Sequence, residues 1–182
     1  VRTTNKELQK MSTINYDMVG TAQFTRLTEA GRDMGVNLTE GSDQRNKIEA
    51  CQGMYLLNLH VTKAEKAKAI AAGVPNKGLT GQLWKTDTDG GDYYKCTRKH
   101  FNPKFTDRET GEQGVVMGPP NVFKDTPEGN KEWDWVEDGL IGDGSSVKVR
   151  LSIYKETIVE MTAVKVLEHV VYIPEAKEEE DF

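Results

Sequence analysis

Long apolar runs are missing from this 182-residue chain, and so are the common metal and nucleotide fingerprints. Nothing approaches the roughly 20 apolar residues that a membrane-spanning helix needs. The first residues carry no basic-then-apolar signal pattern; the chain opens on Val1, with Met11 a candidate start behind an added leader. Only two cysteines occur, Cys51 and Cys96, and they form no CxxC pair. They read as reduced thiols of a cytosolic protein rather than as a disulfide framework. The three histidines, His60, His100 and His169, lack metal-ligand spacing such as HExxH, and no GxxxxGK(S/T) run is present to cradle phosphates. Asp87, Asp89 and Asp92 crowd one turn without the terminal Glu of a calcium loop. A solvated turn is the ordinary reading there, and a magnesium-dependent nuclease a remote rival. Cys51 and His60 have nothing around them in sequence to support a nucleophile pair. No catalytic residue, cofactor or metal is expected.

The formal net charge of −5 conceals a division. Residues 175–182 hold Glu175, Glu178, Glu179, Glu180 and Asp181 against Lys177, a local sum of −4, so the rest of the chain sums to only −1. Within that rest, residues 93–108 hold Lys95, Arg98, Lys99, Lys104 and Arg108 against Asp107, a local sum of +4. A near-neutral body with a basic stripe and a detached acidic end is a polarised molecule.

Hydrophobic spacing predicts strands at Tyr16–Leu27, Met54–Val61, Tyr93–Phe101, Gly114–Met117, Val147–Tyr154 and Ile158–Ile173, the last with a change of phase near Leu167 that implies a bulge. Between them lie turn signals such as Asp89-Gly90-Gly91 and Gly142-Asp143-Gly144. One short helix is expected after Thr62, which pairs with Glu65 as a capping box; Ala64, Ala67 and Ala71 give it a small-residue stripe, and Gly73 with Pro75 ends it. Residues 28–53 read as a long loop, and 125–138 as an acidic loop bearing Trp133 and Trp135. The fold expected is all-β with one short helix: an OB-fold, a five-stranded Greek-key barrel, plugged by that helix and followed by a disordered acidic C-terminal tail. The organisation is a flexible segment at 1–15, a nucleic-acid-binding domain at 16–173 and a tail at 174–182.

Two strands carry the chemistry. In Val147–Tyr154 the aliphatics Val147, Val149, Leu151 and Ile153 alternate with Lys148, Arg150, Ser152 and Tyr154, so one face is core and the other offers two cations and a ring. In Tyr93–Phe101 the presence of Cys96 marks the inward side, which leaves Tyr93, Lys95, Lys99 and Phe101 outward. Lys104, Phe105 and Arg108 continue that stripe. Phe24 and Arg26 share a face of the first strand and extend the surface. Cations neutralise phosphates and release counterions, while rings stack on any base; together they suit a single-stranded nucleic acid better than an ordinary solvated strand. Trp84 reads as structural, and the carboxylates around Trp133 and Trp135 repel phosphate, which favours packing or a partner contact for that pair.

Several segments, in order along the chain, resemble the single-stranded DNA-binding proteins of tailed, podovirus-type bacteriophages. They are Gly20-Thr21-Ala22, Tyr55-Leu56-Leu57-Asn58-Leu59, Lys95-Cys96, the run from Gly139 to Arg150, Val164-Lys165-Val166-Leu167-Glu168, and the ending Asp181-Phe182. The resemblance implies an OB-fold body with Lys95, Lys148, Arg150 and Tyr154 on DNA. It further implies a tail (Glu178, Glu179, Glu180, Asp181 and Phe182) that competes with DNA and recruits phage replication proteins, the DNA polymerase and helicase-primase. The setting would be the cytoplasm of the infected bacterial host, with roles in replication, recombination or repair. The family dimerises, often through the tail; the tail here is shorter, so a homodimer stays an open expectation. Two alternatives stand beside this reading: a single-stranded RNA-binding OB module and a non-catalytic structural or adaptor protein.

Overall fold

The computed structural model describes residues 13–172. Along the chain it has β1 (Thr13–Arg26), α1 (Asp43–Ala50), β2 (Met54–Val61), α2 (Lys63–Ala71), β3 (Lys77–Gly78), β4 (Gly81–Gln82), β5 (Trp84–Thr86) and β6 (Asp92–Lys99). There follow β7 (Phe101–Thr106), β8 (Gln113–Val116), β9 (Asn121–Thr126), β10 (Gly129–Glu132), β11 (Ser146–Tyr154) and β12 (Ile158–Glu168). β1 begins inside the segment expected to precede the barrel. The expectations for residues 1–12 and for the tail fall outside the described residues.

Eight strands form one sheet in the order β10-β9-β12-β11-β1-β2-β6-β5, with β9 and β12 parallel and every other neighbouring pair antiparallel. β1 serves two partners: Thr13–Thr21 pairs with β11, and Thr21–Arg26 pairs with β2. Thr21 belongs to both registers, opposite Ser146 on one side and His60 on the other. Beside it, a Cβ on Gly20 would run into the His60 carbonyl, so the close approach of β1 to β2 demands a residue without a side chain. The sheet then curls until β12 meets β6. That seam has no ladder; Glu160 joins it, accepting from Lys99 N at 3.1 Å through Oε2 and pairing with Lys99 Nζ at 3.1 Å through Oε1. The five strands β1, β2, β6, β12 and β11 thus make the expected OB-like barrel.

The barrel interior follows from alternation. Val147, Val149 and Leu151 are fully buried and Ile153 nearly so, and Tyr55, Tyr94, Met18 and Met161 join them. Each buried aliphatic side chain contributes about 2 kcal/mol. Leu167 is the residue skipped between the pairs Ser146–Glu168 and Val147–Val166, which places the bulge where the phase of β12 predicts one; Thr162 is skipped at a second.

Several local expectations change. A second helix, α1, lies inside the region expected to be loop; Ser42 caps it by accepting from Arg45 N, and its one buried residue, Ile48, gives no periodic signal. α2 is capped by Thr62 as expected, with Glu65 N donating to Thr62 Oγ1 at 3.1 Å. Its alanine stripe, however, faces solvent, and Ala69 is the residue it buries. Trp84 sits in the short strand β5, buried edge-on against Tyr94. The acidic segment at 125–138 contains the end of β9 and the whole of β10. The strand expected at Tyr93–Phe101 breaks at His100, after which β7 and β8 form a separate hairpin.

Candidate nucleic-acid interface

β6 turns Tyr93, Lys95, Thr97 and Lys99 away from the core while Tyr94 and Cys96 are fully buried. Pairing with β2 sets Lys95 opposite Asn58 and Tyr93 opposite His60, and β5 brings Lys85 opposite Tyr93. The His60 and Tyr93 rings stack with centroids 5.0 Å apart and planes 28° from parallel. Among the described residues Lys95 has no ion-pair partner. Burial pushes its pKa below the ordinary lysine value and Lys85 adds to the push, against a smaller opposing pull from Asp33. A partly desolvated ammonium beside a second cation is relieved by an arriving anion. Further along β6 a groove of about 490 Å³ runs between this strand and the β11–β12 hairpin, with Lys77, Lys99 and Lys104 in its lining. Lys99 is the member of that trio held by a carboxylate, Glu160.

β11 carries a second cationic patch, separated from the first by β1 and β2 on one side and by β12 on the other. Lys148 lies opposite Lys165 of β12, which lies opposite Phe123 of β9. Lys165 Nζ is 3.8 Å from Asp125 Oδ1. Arg150 is engaged on the surface: its Nε and Nη2 donate to the two Asp17 carboxylate oxygens at 2.8 and 3.0 Å. The guanidinium holds the Asp17 carboxyl below the usual aspartate value, and the carboxylate raises the Arg150 pKa in return. The residues singled out from sequence therefore lie on two faces of the barrel, not one.

The barrel has a known counterpart. A crystal structure of gp2.5, a single-stranded DNA-binding protein encoded by bacteriophage T7, matches with a TM-score of 0.50 at 19% identity, over 91% of this chain and 97% of that one. This chain shares its fold. A single-stranded DNA-binding protein from bacteriophage Enc34 matches with a TM-score of 0.46 at 13% identity, over 91% of this chain and 87% of that one. No family sequence model matches the chain, and no curated protein matches its sequence.

The remaining sequence candidates scatter. Phe24 and Arg26 lie at a bulge that shifts the β1–β2 register. Phe24 adopts φ 51°, a left-handed conformation that is costly for an aromatic residue; its N–H donates to Asp143 Oδ1 at 2.9 Å and its ring is 64% exposed. Arg26 Nη1 donates to the Gly31 carbonyl at 3.3 Å. Phe101 lays its ring over Gly114, where a Cβ would overlap it. Tyr154 stands at the far end of β11 with Lys155 Nζ 5.2 Å from its ring centroid. Trp133 is buried, donating Nε1–H to the Gly139 carbonyl at 3.0 Å and meeting Trp135 and His169 edge-on.

Sequence reasoning missed Lys77 and Lys85, which sit on elements too short to show a period, and it missed the work of Arg98. That guanidinium donates to the carbonyls of Gly118 and Met117 at 2.9 Å each and to Met161 at 3.4 Å. The Asp87–Asp92 carboxylates do not converge: Asp87 accepts from the N–H groups of Asp89 and Gly91, and Asp92 pairs with Lys66 at 3.0 Å. Among the described residues no three His, Cys, Asp or Glu side chains are grouped to hold a metal, and no helix is long and apolar enough to cross a membrane.

Proposed function

We propose that this chain binds single-stranded DNA without sequence preference, without catalytic turnover, and in the service of phage DNA replication, recombination or repair. The observation that carries the reading is Lys95: a half-buried, unpaired ammonium on the outward face of β6, crowded by Lys85 and flanked by the Tyr93 ring. Lys77 and Lys104 extend the track for phosphates, with Lys99 between them tied to Glu160, and Tyr93 offers a ring to a base. Lys148 with Lys165 forms a lesser patch around the barrel. The shared fold with a phage protein described as binding single-stranded DNA supports the assignment.

The acidic tail completes the proposal. Glu178, Glu179, Glu180, Asp181 and Phe182 compete with DNA for the lysine track and, when displaced, are read by replication proteins in the cytoplasm of the infected host. Removing residues 175–182 should then raise DNA affinity most at low salt and weaken capture of those proteins.

The test is anisotropy titration of labelled oligo-dT across a salt series. Contact with about four phosphates predicts a log–log slope near −3, at roughly −0.7 per phosphate for single strands. A matched RNA oligomer in parallel separates a DNA preference from general single-strand binding. No binding of oligo-dT at low salt overturns the proposal.

A further inference from the structure

A broad cleft lies away from Lys95. It measures about 750 Å³, within the range of roughly 300–1,000 Å³ typical of small-ligand pockets. One wall is the β7–β8 hairpin, an arm in its own two-stranded sheet with no ladder to the barrel. The other wall is the β11–β12 hairpin. The arm is tied at its root: Met117 N and Gly118 N donate to the His100 carbonyl at 2.7 and 3.2 Å, and Arg98 grips the carbonyls of the same two residues.

Each wall presents a ring. Phe105 of the arm is 48% exposed, and Tyr154 of β11 lines the cleft from the barrel side along with Ile158, 44% exposed. Three carboxylates also line the cleft, and two of them are occupied. Asp107 Oδ1 accepts from the N–H groups of Glu109 and Thr110 at 2.8 and 3.2 Å, and Glu160 is bound to Lys99; Glu109 is the third. Arg98 and Arg108 set two positive charges against them. A near-neutral cleft with a ring on each wall suits bases, which are uncharged and stack, and does not suit a phosphate chain.

Its neighbour supplies what it lacks. The lysine groove beside β6 shares Ile158 and Glu160 with this cleft, so the two are continuous across one ridge. We propose that the β7–β8 arm and the β11–β12 hairpin form a base clamp, in which Phe105 and Tyr154 stack on consecutive bases of a strand whose phosphates follow Lys77 and Lys104. The clamp rests on the single-strand reading above and assigns the position of the bases within it.

The experiment uses the full chain and a dT oligomer carrying 5-iodouracil, irradiated and mapped by peptide mass spectrometry. Adducts are expected at Phe105 and Tyr154. Phe105→Ala, an exposed change that leaves the barrel intact, should weaken oligo-dT binding about 5- to 10-fold with the salt slope unchanged, as expected for a lost stack and not a lost phosphate contact. Phe105→Trp should restore affinity, with its emission quenched by the oligomer. Wild-type protein that does not bind oligo-dT overturns the single-strand reading itself. Tight wild-type binding with adducts elsewhere and Phe105→Ala unaffected overturns the clamp alone and leaves the cleft to a protein ligand.

Discussion

Arg150 is locked to Asp17 across the β1–β11 ladder, two parallel N–H···O bonds at 2.8 and 3.0 Å. Bidentate geometry of this kind leaves little positive charge to offer a phosphate. Arg150→Ala should change oligo-dT affinity by less than about two-fold, whereas Lys95→Glu should lower it about ten-fold at low salt and flatten the salt slope by about one phosphate. Asp17→Asn, which frees the guanidinium, should strengthen binding. Equal losses for Lys95→Glu and Arg150→Ala in the titration would show that both faces hold the strand.

Acid should destabilise the barrel through its paired carboxylates. Asp17 is held low chiefly by its hydrogen bond with Arg150, Asp92 by Lys66, and Asp138 by the Asp134 backbone N–H and then Lys124. A carboxyl whose folded pKa lies below its unfolded value stabilises the fold above the unfolded pKa, near 4, and that contribution is lost as pH falls further. Thermal melts from pH 6 to pH 3 should show Tm dropping on the acid side, with a shallower drop in Asp17→Asn.

His100 adds a second window at higher pH. Its Nδ1 lies 2.7 Å from the buried Tyr55 hydroxyl, and burial, then Arg32, pushes its pKa below 6.5. The neutral ring is favoured in the folded chain, so its contribution is complete above about pH 6.5 and shrinks as pH falls toward the folded pKa. His100→Gln, which keeps an acceptor for Tyr55, should remove this part of the pH dependence in urea melts; an unchanged profile would discount His100.

Glu160 holds the seam between β12 and β6. Glu160→Ala removes an acceptor from Lys99 N and a partner from Lys99 Nζ, at a cost of about 1–2 kcal/mol. Amide exchange at Lys99 should accelerate, while Glu160→Gln should recover part of the loss. Full protection of that amide in Glu160→Ala would mean that packing alone closes the barrel.

Gly20→Ala tests the close approach of β1 to β2. The added Cβ meets the His60 carbonyl, which is backbone and cannot swing aside. Loss of roughly 2 kcal/mol in a urea melt is expected, and a neutral result would show that β1 shifts to make room.

The barrel was legible because its strands alternate strongly: β11 reads inside and outside from Val147 to Tyr154, and both the bulge at Leu167 and the cap at Thr62 announce themselves by phase and spacing. α1 was not legible, since one buried residue in eight makes no stripe. The alanines of α2 misled because small residues suit a buried face and an exposed one equally. The site was half legible. Outward direction on β6 and β11 followed from period two, but charge alone does not reveal which cation has a partner. Asp17 lies far from Arg150 in sequence and Glu160 far from Lys99; the β1–β11 ladder brings the first pair together, and the closing of the barrel seam brings the second.

Thr21 stands where β1 passes from one neighbour to the other, and this ties the molecule to the order of its own synthesis. β1 needs a strand made more than a hundred residues later: Thr13 waits for Tyr154 and Thr21 for Ser146. A nascent chain released short of β11 has β1 with one edge bare, and pairings so distant along the chain form slowly. Folding of this barrel waits for β11, and a ribosome stalled before residue 146 would carry an open sheet.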